Sequence, residues 1–385
     1  MPDMNRVTWL RICGVLVFLG LPILTYYLVA APSSRGFAPG IRTTEPWRVT
    51  AHPIPGLQGE AARLAADVAR YQRVRPTNGF EVFHRCRVEV LLPDSASQAK
   101  ARDELIEILN HDRFMARYPQ AAPLLRPTGW GGWEVRRLSA DRNYTPKDME
   151  RLQGEVHADQ LVATCGEIGL DPAHPITSGG ESLTVGELVE SARRGFVVGQ
   201  ESEWSVAAFC AYRPDEPEWV NRFGEQQSYA GLADELAKQE LSTGACAGSH
   251  RLYALCMLLQ LDATRPFFPR ATRERVTAQI QMACDALRRT QRPSGAWDTG
   301  WASGSSWNGG RDLPRTLVHV TAHHLEWLII CPPEARPPDA VIVKAYRFVS
   351  DSAAQQPDSV IRDQYCPYSH FARVAALQLS AGERP

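Results

Sequence analysis

Two short stretches place a thiol and an imidazole four positions apart where an apolar run begins. They are Cys246 and His250 in GACAGSHRLYAL (244–255), and Cys366 and His370 in CPYSHFARVAAL (366–377). Thiolate and neutral imidazole are good zinc ligands, so Cys246, His250, Cys366 and His370 could together complete a four-coordinate site. A cysteine paired with a histidine could instead be an activated nucleophile. If the domain is exported, a disulfide between Cys246 and Cys366 is a third option, provided their Cα atoms come within about 7 Å. The remaining reading is that each residue caps its helix or packs at a layer boundary.

Other groups stand at comparable places. His157 lies in EVHADQL, Glu201 and Glu203 in ESEWS, and His319, His323, His324 and Glu326 in HVTAHHLEWLII (319–330). His319 and His323 are one helical turn apart, the spacing of a two-histidine ligand face; Val320 stands where a zinc protease would carry Glu. His250, His324 and His370 are the candidate acid–base groups, with Glu203 and Glu326 as carboxylate partners. In WDTGWASGSSWNGGRD (297–312), Trp297, Trp301 and Trp307 lie among glycines and serines. Such a loop can stack on a sugar or cover an apolar ligand, which makes Trp297, Trp301, Trp307 and Asp298 candidate ligand contacts. Asp312 closes the same stretch.

Positioning these groups falls to helices of two kinds. TVGELVESARR (184–194) begins with a Thr184–Glu187 capping box and carries one apolar stripe, as does TRERVTAQIQMACDALRR (272–289). The runs from Trp204, His250 and His370 are apolar nearly all round, the mark of a helix enclosed by others. Exposed and enclosed runs alternate: 185–195 then 204–212, 228–239 then 250–260, 272–289 then 316–330, 338–350 then 369–379. Several enclosed runs start about 46 residues apart, a spacing suited to helix-pair repeats. The expected fold is all-α, a closed double ring of inner and outer helices in preference to an open solenoid. In such a ring the loops entering the inner helices gather at one mouth. FEVFHRCRVEVLL (80–92) suits strand and helix equally. Cys165, Cys210, Cys256 and Cys284 fall inside apolar helical patterns and read as core.

After the 272–289 helix comes QRPSGAW, with Gln291, Gly295 and Trp297. This resembles the QW repeat of squalene and oxidosqualene cyclases, whose α/α toroid is shared by protein prenyltransferase β-subunits. The resemblance implies a terpenoid-cyclase-like toroid in which Gln and Trp tie an outer helix to the next inner one. It does not bring the chemistry, because the DxDD and DDxxD motifs are absent and Asp363, Cys366 and His370 do not have the prenyltransferase zinc spacing. HVTAHHLEWLII is similar to the GHxxEW helix of N-acylglucosamine 2-epimerases, another α/α toroid family. That likeness implies acid–base work on a sugar by His323 or His324, with Glu326 and Trp327 as the matching positions.

The N-terminus adds a location. Residues 12–31, ICGVLVFLGLPILTYYLVAA, carry no charge and are long enough to span a bilayer. Arg6 and Arg11 precede them and Tyr26 and Tyr27 lie toward the far side, which favours a cytoplasmic N-terminus. The expected organisation is a cytoplasmic segment 1–11, a signal-anchor helix 12–31 in preference to a cleaved signal peptide, a Pro-, Gly-, Ser- and Thr-rich linker 32–58, and an extracytoplasmic toroid domain 59–385. A net charge of −1 offers no basic field for nucleic acid. The functional expectation is a membrane-anchored toroid binding or processing an apolar or glycan ligand at its mouth, with zinc as the candidate cofactor. A non-catalytic ligand- or protein-binding module, and a sugar-active epimerase, hydrolase or lyase, are the alternatives.

Overall fold

The computed structural model describes residues 45–138, 153–303 and 313–382. The apolar segment 12–31, Trp307 and Asp312 lie outside the described residues. Among the described residues no helix is long and apolar enough to cross a membrane.

The fold is all-α in character. Its helices are α1 (Pro55–Gln58), α2 (Ala61–Arg73), α3 (Gly79–Glu89), α4 (Ser95–Leu109), α5 (His111–Arg117), α6 (Gln160–Ile168), α7 (Val185–Gly195) and α8 (Glu203–Tyr212). They continue with α9 (Tyr229–Lys238), α10 (Ser249–Thr264), α11 (Arg270–Thr290), α12 (Pro314–Ile330), α13 (Asp339–Ala354), α14 (Asp358–Asp363) and α15 (Tyr365–Gly382). Three two-stranded antiparallel hairpins interrupt the helices. In one, Ser178 pairs with Glu181 across Gly179 and Gly180, both at positive φ, as a two-residue hairpin turn requires. Its second strand ends at Thr184, whose side chain and Glu187 form the expected capping box of α7.

Six helices are enclosed. α3 packs on α6, α6 on α8, α8 on α10, α10 on α12, α12 on α15, and α15 returns to α3, a closed circuit of contacts. Every residue of α8 is buried, and α10 is buried from Ser249 to Leu258. The amphipathic helices cover this circuit from outside: α2 lies on α15, α4 on α3, α7 on α6 and α8, α9 and α11 on α10, and α13 on α12 and α15. The ambiguous 80–92 stretch is mostly helix α3, because tertiary enclosure buries both of its faces.

The inner helices run in one direction, so their C-terminal ends share one side. Segment 45–54, expected as linker, instead crosses that side in extended form. Trp47 N–H donates to Ala211 O (2.8 Å), an Arg48 guanidinium N–H to Ile168 O (3.3 Å) and His52 N–H to Ile329 O (2.8 Å). The Gln260 side chain bonds both backbone groups of Thr50 and the Ile330 carbonyl, each at 2.8 Å, and Ile54 N–H reaches Gln378 Oε1 at 3.2 Å. Helix ends carry carbonyls without intrahelical partners, and this segment satisfies several of them.

Trp297 and Trp301, expected in an exposed loop as ligand contacts, are fully buried. Trp297 Nε1–H donates to Leu287 O (2.8 Å) and its backbone N–H to Thr321 Oγ1 of α12 (2.9 Å). Gln291 Nε2 reaches Gly295 O (3.0 Å) and Val341 O of α13 (2.7 Å). The QRPSGAW stretch thus ties α11 to one inner and one outer helix. Asp298, the fourth expected contact, is held by Arg292 at 2.8 Å and accepts the Gly300 N–H.

Ile54→Ala is expected to lower stability by about 2–5 kcal/mol in urea denaturation, as a core truncation does. A cost below about 0.5 kcal/mol would mean that the segment behaves as a solvated tether.

Candidate metal centre

The other end of the inner helices gathers the chemistry. Before α10 the chain makes a tight turn with Cys246 at φ 50° and Ala247 at φ 56°, a left-handed conformation that costs energy for residues with a Cβ. Trp301 Nε1–H anchors Ala247 O (3.1 Å), and Arg251 holds Leu241 O (2.7 Å). Gly248, at φ 81°, could not carry a Cβ, which would lie 2.1 Å from Leu241 O. The two cysteines share a local device: Ser249 Oγ–H donates to Cys246 O (2.8 Å) and Ser369 Oγ–H to Cys366 O (2.5 Å). The repeat is therefore C-x-x-S-H, although Cys246 lies in the left-handed turn before α10 and Cys366 in the first turn of α15.

Around these cysteines the imidazoles form a continuous cluster. Ring centroids are 4.7 Å apart for His157 and His250, 5.3 Å for His250 and His323, and 4.0 Å for His323 and His370. His319 stacks 4.3 Å from His323, and His84 lies edge-on to His370 at 5.1 Å. Four sets of three ligand atoms lie within 4.8 Å of one another: His84, Cys366 and His370; His157, Cys246 and His250; Cys246, His319 and His323; and His250, His323 and His370. Cys246, His319 and Cys366 are half-buried, and the other donors of the cluster are buried.

Hydrogen bonds fix several tautomers. His370 Nδ1 lies 2.5 Å from Glu326 Oε2, and His157 Nδ1 lies 2.5 Å from Glu201 Oε1. His323 Nδ1 lies 2.7 Å from the His319 carbonyl. These oxygens only accept, so each Nδ1 donates and each Nε2 of the neutral ring keeps its lone pair. His370 Nε2 is buried without a partner, and His323 Nε2 lies 3.8 Å from Cys366 Sγ. His250 differs: the indole of Trp204 donates to its Nδ1 at 3.3 Å, so ligation through Nε2 would require it to give up that long contact. Both ring nitrogens of His84 are buried and unpartnered.

The electrostatics suit neutral imidazoles. Burial first, then repulsion from neighbouring rings, pushes the pKa values of His84, His250 and His323 well below the usual value and that of His319 to about 4. Burial likewise pushes the Cys366 thiol up to about 12 and Cys246 well above its ordinary value. Without a cation the thiols stay protonated; a metal ion would reverse that balance.

Behind His370 lies a buried charge network. Glu326 Oε1 accepts from Arg87 Nη2 (2.9 Å) and Arg373 Nη1 (3.1 Å). Arg87 also pairs with Glu167, Arg373 Nη2 bonds Glu167 (3.2 Å), and the Tyr253 hydroxyl reaches Glu167 at 3.1 Å. Burial alone would raise the Glu326 pKa, but His370, Arg87 and Arg373 outweigh it and hold the carboxyl well below the usual range. Arg87 also stacks over Trp204, 4.5 Å from the ring centre. This network floors a cavity of about 390 Å³ at the C-terminal ends of the inner helices, lined by Arg87, Glu167, Ala211, Met257 and Arg373 and covered by segment 45–54.

The structure brings together Cys246, His250, Cys366 and His370, with His157, His319 and His323 beside them and Glu326 behind. It does not bring His324. That ring is buried against Trp297 and Trp301, with Nδ1 accepting from Trp327 Nε1 at 2.9 Å, so the expected acid–base role falls away. Glu203 is buried and accepts the Ser202 N–H at 3.0 Å, with burial raising its pKa. No disulfide joins Cys246 and Cys366; all eight described cysteines are free. Three of them, Cys256, Cys284 and Cys331, lie together in the core, where the two neighbouring thiols hold the Cys331 pKa below its ordinary value. His84, Arg87, Glu167 and Arg373 were not singled out by sequence reading. The pattern FEVFHRC, where Val82, Phe83 and Cys86 flank the histidine, was the available signal for His84.

No protein-family model, curated protein or solved structure matches the chain.

Removing one partner from the network strands a buried charge, so Arg373→Met is expected to cost about 3–5 kcal/mol in urea denaturation. Combined with Glu167→Gln, the loss should be less than additive by about 0.5–3 kcal/mol. Strict additivity would show that the pair does not interact in solution.

Proposed function

We propose that this chain is a membrane-anchored, extracytoplasmic α/α toroid, like the cyclases its QW stretch resembles, that holds a d-block metal ion at its mouth. Zinc is the first choice, because the donors are imidazole and thiolate and the carboxylates stand behind them. One observation carries the reading: His157, His323 and His370 each set Nδ1 against an oxygen acceptor, which leaves Nε2 as the ligating nitrogen, and each shares a group of donors within 4.8 Å with Cys246 or Cys366. Ligating histidines usually have such acceptors behind them, carboxylates for His157 and His370 and a backbone carbonyl for His323.

A bound ion would supply Lewis-acid chemistry to a ligand arriving at the mouth. The chain's own residues would orient the ligating rings, exclude water below the cluster and hold Glu326 ionised. Acid–base action on a sugar by His324 and Glu326 has less support, since one is walled in by tryptophans and the other is committed to two arginines and a histidine.

Elemental analysis of the full-length chain, purified without chelator and with zinc supplied, tests the reading. At least one zinc per chain is expected, with His370→Ala and Cys366→Ser reducing metal content and His324→Ala leaving it unchanged. A folded wild-type chain with no d-block metal would sink it.

A further inference from the structure

Eight donors are more than one ion needs. Zinc with nitrogen and sulfur ligands is almost always four-coordinate in structural sites, and catalytic sites take three protein ligands. The cluster offers His84, His157, Cys246, His250, His319, His323, Cys366 and His370. Two of its three-donor sets, His84–Cys366–His370 and His157–Cys246–His250, share no residue.

The two sets match in composition, and differ in that His250 must give up the Trp204 contact to ligate through Nε2 while both ring nitrogens of His84 are unpartnered. Each has one thiol and one histidine backed by a carboxylate, Glu326 behind His370 and Glu201 behind His157, both at 2.5 Å. Each has a further histidine, His84 or His250, and a fourth donor within reach. His323 Nε2 lies 3.8 Å from Cys366 Sγ on one side, and His319 shares a set with Cys246 on the other. The His250, His323 and His370 rings, grouped within the same ligand-atom limit, join the two halves.

Resting on the metal reading above, we infer that the cluster is a dinuclear centre with two adjacent divalent d-block ions. One ion is held by His84, His323, Cys366 and His370, and the other by His157, Cys246, His250 and His319. Charge favours this division. Each ion would meet one thiolate and one histidine backed by a carboxylate, a combination the cluster supplies twice, with Glu326 also neutralising Arg87 and Arg373. A single ion at the centre would leave one thiol set and its buried imidazoles without a partner, a cost that buried polar groups normally avoid. The repeated C-x-x-S-H turns follow from this: each delivers the single thiolate of one site.

The test is the stoichiometry of the metal-free full-length chain titrated with zinc and, separately, with cobalt(II). Two ions per wild-type chain are expected. The pair Cys366→Ser/His84→Ala should bind one ion, as should the pair Cys246→Ser/His157→Ala, each retaining thiolate-to-cobalt charge transfer from the surviving cysteine. At full cobalt loading the paramagnetic signal should fall below twice that at half loading, because adjacent ions couple; this readout needs no variant. One ion per wild-type chain, or loss of all metal from both paired variants while their circular dichroism stays native, would mean a single shared centre and overturn the inference while leaving the metal reading standing. No metal at all would overturn both.

Discussion

Glu326 is the charge on which the interior depends. It projects from α12 and is shared by Arg87 from α3 and by Arg373 and His370 from α15. The packing of α15 on α3 is also the contact that closes the circuit of inner helices. One carboxylate therefore sets both the closure of the helices and the tautomer of a ring in the cluster. Such a network is weak evidence for stability, since removing these charges from water is costly. Its effect is on specificity: each guanidinium has few alternative acceptors at that depth, so the helices have few other registers.

The two ends of the inner helices solve opposite problems. At the N-terminal end the positive helix dipoles face half-buried thiols and neutral rings, an environment that favours a thiolate once a cation is present. At the C-terminal end, negative dipole ends face Arg87 and Arg373, and carbonyls without intrahelical partners bond to segment 45–54. The polarity of the backbone thus sorts the side chains: thiols and imidazoles at one end, guanidinium groups toward the other.

How much of this was legible depended on whether a residue's environment is local. The Thr184–Glu187 capping box and the alternation of covered and enclosed helices were readable, because both are written in periodicity over a few turns. Cys246, His250, Cys366 and His370 were readable as members of one cluster because both pairs stand where inner helices begin, but no group of donors within 4.8 Å holds both thiols, so the single four-ligand set is not what the geometry gathers. His84 escaped because it sits inside its helix, in a run that fits either period, so only its distant neighbours reveal it. His323 and His324 show the limit of adjacency: successive residues on a helix point about 100° apart, and one ring enters the cluster while the other faces tryptophan. Trp297 and Trp301 were misplaced because glycine- and serine-rich surroundings look exposed whether or not a helix covers them. The same blindness made segment 45–54 look like tether, since a strand bonded to helix ends needs no apolar period.

That segment lies on the side of the domain opposite the histidine cluster. Trp47, Arg48 and Thr50 therefore wall the charged cavity, and a ligand entering it from this side would have to displace hydrogen bonds at the ends of the inner helices before it met Arg87 or Arg373.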